Sequence, residues 1–358
     1  MKCCPYCFND DAISYYVEGL SNGTRGTCDF CGSSNALLYE ITPYCELANT
    51  FERLFTVIAP SESVAPDRMI SGCGPLPEVF ASTWKIFNFN SSLVLRFLCE
   101  MFGSEEWFKR LQDAEVVISP GKGERPLDEY SIFGSMDWSN FSSQIKHKSR
   151  FFTKLAHVDV FEDLLGAARS TWKKGHPLFR ARIWTKKKDP VEEDFHEPPE
   201  SKASDGRMRS AGIPCIYTAD TPETAAAEVR AGMHDIVAIA TILPLHDFEY
   251  ADLSVLDDIS PLANVDCSRL VANRKHLRSI VTELTRPVRT SDSTLDYVPF
   301  QYLSELIQQF GNEAIGYPSV MHREGKNIAC FAHFNGMFEL HSIKKYRVDE
   351  LAYGLHEF

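Results

Sequence analysis

Four cysteines in two pairs constrain the start of this chain more than any other feature. Cys4-x2-Cys7 and Cys28-x2-Cys31 are separated by 20 residues. Two sulfurs three positions apart on a tight turn reach one tetrahedral ion, and a second such turn completes the set. Pro5 and Gly32 suit turns of that kind. The spacing therefore predicts a structural zinc site of Cys4, Cys7, Cys28 and Cys31, closed because no coordination position is left for chemistry. Cys3 competes with Cys4 for the first place, and spacing leaves that choice open. The chain has eleven cysteines, clustered at this end and not spread as a disulfide framework would be, which points to a reducing, cytoplasmic setting.

With 358 residues the chain is long enough for two or three domains with sizeable cores. Its 37 Lys+Arg against 49 Asp+Glu give a net charge of -12, which argues against a general nucleic-acid-binding surface. No apolar run is long enough to cross a membrane, and the opening MKCCPYCFNDD lacks the apolar core of a signal peptide.

Three regions follow from the patterning: a zinc-knuckle segment at 1–45, a mostly α-helical domain at 46–170 and an α+β domain at 171–358. In the second, Leu47, Phe51, Leu54, Phe55 and Ile58 recur as one face of an amphipathic helix. Further helices are expected over 78–87, 92–102, 105–114, 138–154 and 160–171. Arg150 and His157, with six residues between them, have a spacing used by some helical ribonucleases; alone, such a pair is more often a surface or capping pair.

After Gly175 the pattern turns to strands. Over 178–184, Phe179, Ala181 and Ile183 fall on one face and Arg180 and Arg182 on the other, where the arginines would form a solvated edge or line a polar pocket. Residues 186–205 are charged, proline-rich and without period, the mark of a long loop or flexible lid. The stretch 206–230 then packs three signals together. A glycine-bracketed loop carries Arg207 and Arg209, a short strand places Tyr217 near its end, and a helix begins with Thr221 as N-cap and Pro222 at its first position. Thr224 and Glu228, four apart, share a face of that helix. Guanidiniums, a phenol and a carboxylate so arranged would grip an anionic ligand with a reacting centre. Downstream, 236–243 reads as a buried strand and 299–310 as a helix ended by Gly311. Asn335-Gly336 predicts a hairpin that pairs 327–334 with 338–348.

The ordered series Phe179-Arg180, Gly206-Arg207-Met208, Ala211-Gly212-Ile213-Pro214, Tyr217-x-Ala219, Thr224-Ala225 and Glu228-Val229 resembles the RES domain, named for its recurring Arg, Glu and Ser. Pro299-x-Gln301, Tyr317-Pro-Ser319 and Asn327-Ile-Ala-Cys-Phe331 fit its C-terminal half. The N-terminal Cys-Cys-x-x-Cys-Phe and Cys-x-x-Cys-Gly pieces are similar to the HEPN-type helical domain found ahead of RES domains. Two positions depart from the family pattern: Arg209-Ser210 stands where Asn-Pro is common, and Ala181 where an aromatic is common.

The resemblance implies an α+β fold akin to the ADP-ribosyltransferases and cleavage of NAD+ at the nicotinamide–ribose bond. Phosphate would be the acceptor, the products nicotinamide and ADP-ribose 1''-phosphate, and NAD+ depletion the basis of toxicity. Carried over by motif, the site residues are Arg180, Arg207, Tyr217, Glu228 and Ser319, with Arg180, Arg207 and Tyr217 holding the dinucleotide. The chain lacks the Gly-x-Gly-x-x-Gly fingerprint of a dinucleotide-binding crossover, which makes NAD+ a consumed substrate and not a redox cofactor. A domain that destroys NAD+ must be silenced in its host, so an antitoxin or other regulatory protein is the expected partner. Residues 186–205, between Arg180 and Arg207, are placed to gate entry. Three alternatives stay open: ADP-ribose transfer to a protein, a zinc-and-helix sensor ahead of a degenerate C-terminal half, and a HEPN ribonuclease. The acceptor and a homo-oligomeric state stay open too.

Overall fold

The computed structural model describes residues 1–123, 125–150, 156–286 and 294–351. The chain is α+β and forms two compact units. The first comprises Met1–Ser135, Asp159–Ala167 and Asp258–Lys275; the second comprises Met136–Val158, Ala168–Asp257 and His276–Phe358.

The first unit is built from short helices around packed aromatics, joined by a small sheet of Ile58–Pro60, Glu115–Ile118 and Gly74–Pro75. The helices Leu76–Trp84, Ser91–Phe102 and Glu106–Gln112 lie where the apolar period places them. Asn90 caps the second of these by accepting from Leu93 N at 3.1 Å. Phe97 is the hub, with ring centroids 5.0 Å from Phe87, 5.7 Å from Phe51 and 5.8 Å from Phe8. The helix expected over 46–58 stops early. Glu46–Glu52 is α-helical, Arg53–Val57 tightens to a 3-10 turn, and Ile58–Pro60 becomes a strand. The β-branched pair Val57-Ile58 and the missing donor of Pro60 account for the change. The helix expected over 160–171 likewise ends at Gly166, and Arg169–Trp172 is a strand.

The second unit holds an eight-stranded sheet. Its strands are β1 (Arg169–Trp172), β2 (Leu178–Ile183), β3 (Ile216–Ala219), β4 (Ile236–Pro244), β5 (Phe248–Asp252), β6 (Ala314–Pro318), β7 (Lys326–Cys330) and β8 (Phe338–Arg347). They lie in the order β8-β4-β2-β3-β7-β6-β5-β1, antiparallel except for the β5/β6 pair. β4 is the apolar run of the sequence and is buried almost throughout. The core gathers Leu178, Ile216, Ala238, Ile242, Phe248, Ile328, Phe334 and Phe338. Two helices that bear on the site are Pro222–Glu228 and Val298–Gln309, the latter followed by Gly311 at φ +84°. Of the helix expected over 138–154, Trp138–His147 is helical, and 151–155 lie outside the described residues.

One expectation is overturned here. Asn335-Gly336 does not make a hairpin: Phe334–Met337 is one helical turn, and β8 pairs with β4, not β7. A type I′ turn needs positive φ at both central residues, and neither Asn335 nor Gly336 adopts it. Burial of Phe334 and Met337, each 1% exposed, outweighs the local turn preference. The arginine-bearing face of β2 is the more buried one. Leu178 and Arg180 point to the buried side, while Ile183 is 40% exposed. The burial of Arg180 is possible because main-chain carbonyls receive its guanidinium.

Candidate functional site

The site forms around the end of the helix Pro222–Glu228. Thr221 caps it, its Oγ1 accepting from Thr224 N at 3.1 Å, and Pro222 sits at the first position, where no N–H is needed. Thr224 is fully buried, its Oγ1 2.6 Å from Thr221 Oγ1 and 2.9 Å from His322 Nδ1. One turn further on, the half-buried Glu228 turns its carboxylate to the sheet. There Ser319 Oγ donates to Glu228 Oε1 at 2.6 Å and Asn327 Nδ2 donates to the same oxygen at 2.7 Å.

Both donors are themselves fixed. Ser319 follows β6, and its Oγ accepts from Met321 N at 3.2 Å and His322 N at 3.0 Å, which leaves its hydroxyl proton for the carboxylate. Asn327, 6% exposed, lies in β7 opposite Ala219 of β3 and Tyr317 of β6. The Ser319 turn is closed by Ser319 N on Gly325 O at 2.7 Å. Gly325 is required there, since a Cβ would run into Thr224 and lie 2.9 Å from His322 Nδ1.

Tyr217 of β3 lies under the arginine-bearing loop. Its hydroxyl is buried, and burial pushes its pKa up. A Cβ on Gly206 would meet that hydroxyl oxygen at 2.5 Å, so glycine is what lets the loop cross the ring. Tyr317 is pushed up as well, by burial first and then by Tyr217 and Glu228.

The three arginines take different partners. Arg180 donates from Nη1 to Tyr217 O at 2.8 Å and from Nη2 to His196 O at 3.4 Å, and Arg182 Nη2 reaches the same His196 carbonyl at 3.5 Å. Burial, then the nearby Arg182, brings Arg180 down to about 10, so it remains a cation at neutral pH. Arg207 donates to Leu284 O and, at 3.2 Å, to Arg286 O, satisfying carbonyls at the C-terminal end of the helix Cys267–Leu284. Arg209, placed by sequence in the ligand loop, turns into the core. It is 4% exposed, donates to Gln308 Oε1 at 2.7 Å and stacks 4.2 Å from the Phe331 ring centre. Residues 186–205 are irregular and anchored. Phe195 is fully buried, and Glu197 accepts from Phe334 N at 3.0 Å and lies 2.7 Å from His333 Nδ1.

In the first unit the four predicted sulfurs come together. Cys4 lies 3.4 Å from Cys31 and 4.0 Å from Cys7, Cys7 lies 3.4 Å from Cys28, and all four lie within 4.8 Å of one another. Sulfurs about 3.8 Å apart are what a tetrahedral ion with ~2.3 Å bonds requires. The sulfur that lies in this cluster is that of Cys4. Burial raises the Cys4 thiol, while the hydrogen bond with Cys7 draws the Cys28 thiol down. Arg150 is exposed and His157 half-buried.

Residues 177–353 match the model of the RES domain family. That half of the chain is a RES domain. No curated protein sequence matches the chain. Among solved structures, the crystal structure of the M. tuberculosis MbcT–MbcA toxin–antitoxin complex is similar at 12% identity, with a TM-score of 0.31, over 52% of this chain and 92% of that one. The RES domain contains Arg180, Arg207, Tyr217, Glu228 and Ser319, and the Glu228–Ser319 bond joins its helix to the end of β6. Reading the sequence missed the roles of His322 and Asn327. The only pointer was the Asn327-Ile-Ala-Cys-Phe331 piece, which marked the strand and not the side chain.

Proposed function

We propose that the RES domain cleaves the nicotinamide–ribose bond of NAD+, with phosphate as acceptor, to give nicotinamide and ADP-ribose 1''-phosphate. The observation that carries this reading is the carboxylate of Glu228, held on Oε1 by Ser319 and Asn327. Departure of nicotinamide builds positive charge on the ribose, and a fixed carboxylate beside it stabilises the transition state. Glu228 is the residue for that task. Ser319 serves it by donating, which makes the hydroxyl a support for the carboxylate and not a covalent nucleophile. Phosphate is already anionic, so its attack on the ribose needs no general base.

Arg180 and Arg207 supply cations for the pyrophosphate, exchanging the main-chain carbonyls they now hold for phosphate oxygens. Tyr217 orients the nicotinamide end with its ring. The four-cysteine site takes a structural zinc. Such an activity fits a cytoplasmic toxin held in check by an antitoxin or regulatory protein. Among the described residues no helix is long and apolar enough to cross a membrane. The test is incubation of the full chain with NAD+, with and without phosphate, followed by separation of the products. Nicotinamide should appear, faster with phosphate, together with a phosphorylated ADP-ribose. No nicotinamide from the wild type, or equal release by Glu228→Gln, would sink the proposal.

A further inference from the structure

We infer that Asn327 is a positioning residue for Glu228, fixing which carboxylate oxygen meets the substrate; the inference rests on the functional reading above. Glu228 is the last residue of its helix, and a glutamate has three side-chain torsions, so nothing in the helix itself aims the carboxylate. Its aim comes from the sheet. Asn327 Nδ2 and Ser319 Oγ both donate to Oε1, at 2.7 and 2.6 Å. Two donors on one oxygen set both the position of the carboxyl group and its rotation about the last torsion. They leave Oε2 as the oxygen turned to the ribose.

The two supports differ in rigidity. Ser319 lies in the turn after β6, whereas Asn327 belongs to β7, an inner strand between β3 and β6. Its amide is buried and its backbone is paired on both sides, so it is the donor that cannot follow the carboxylate if the carboxylate swings. Among the described residues its side chain bonds Glu228 and none of the groups assigned to the phosphates or the ring. Its loss should therefore slow bond cleavage and leave ligand affinity nearly intact, since only the developing charge feels a misaimed carboxylate.

The experiment compares the full-length wild type with Asn327→Ala and Asn327→Asp, the second being isosteric but placing an acceptor where a donor stood. Steady-state nicotinamide release gives kcat and KM for NAD+, calorimetry gives the affinity for ADP-ribose, and thermal unfolding reports the folded fraction. Each variant that folds should lose about 10–100-fold in kcat, with KM and ADP-ribose affinity within about threefold of wild type. A kcat within about threefold of wild type in either variant would overturn the assignment. So would a loss of kcat matched by an equal loss of ADP-ribose affinity, because that is the result of a merely structural role. A wild type that releases no nicotinamide would remove the functional reading and this inference with it, whereas an active wild type with an unimpaired Asn327→Asp removes the inference alone.

Discussion

The carboxylate of Glu228 and the hydroxyl of Ser319 divide one task unequally. Glu228→Gln keeps the shape and removes the charge, so nicotinamide release should fall about 100–1000-fold, as when a single transition-state partner is deleted from an active site. Ser319→Ala removes one of two donors to Oε1 and leaves Asn327 in place. Its loss should be smaller, about 10–100-fold. If Ser319 formed a covalent intermediate, Ser319→Ala would be as inactive as Glu228→Gln, and a time course of nicotinamide release separates the two outcomes. At this scale the sequence was legible where function follows spacing. Thr221, Thr224 and Glu228 lie on one short helix, and the cysteine pairs lie on two turns. It was not legible where the partner comes from across the sheet, as Asn327 does. Nor does spacing tell one arginine from another: Arg207 and Arg209 are two residues apart, yet one meets main-chain carbonyls beyond its loop and the other is buried against Phe331.

The short elements that carry the site are held by local contacts whose removal has a definite cost. Thr221→Ala deletes the cap of the helix bearing Glu228 and should destabilise the protein by about 1 kcal/mol, measurable by urea unfolding. Gly206→Ala places a Cβ against the Tyr217 hydroxyl and should cost about 1–3 kcal/mol of overpacking. Tyr217→Phe removes the colliding oxygen, so the double variant Gly206→Ala/Tyr217→Phe should recover much of that loss. Strictly additive losses would show that the contact is not what demands glycine at 206. Helices with a clean apolar period, such as Ser91–Phe102, could be read from the chain because one face of each meets the core. The hairpin could not. Asn335-Gly336 carries a strong local signal, but Phe334 and Met337 on either side are buried, and β8 finds its partner nearly a hundred residues upstream in β4.

For the molecule as a whole, the RES match runs unbroken over 177–353, while compactness assigns Asp258–Lys275 to the first unit. The contacts inside that unit are specific. Arg53 donates to Ala263 O at 2.8 Å and Val265 O at 2.7 Å, Asn273 bonds both Tyr130 O and Ile132 N, and Arg269 pairs with Asp159 at 2.7 Å. The helix Cys267–Leu284 thus begins in the unit that holds the cysteine cluster, and its last carbonyl receives Arg207. The purified protein should carry about one zinc per chain, by elemental analysis, as a closed four-thiolate site demands. Cys28→Ser, or a strong chelator, should remove it and lower the unfolding temperature. If the metal-free protein unfolds at the same temperature, the cysteine cluster is not a structural site.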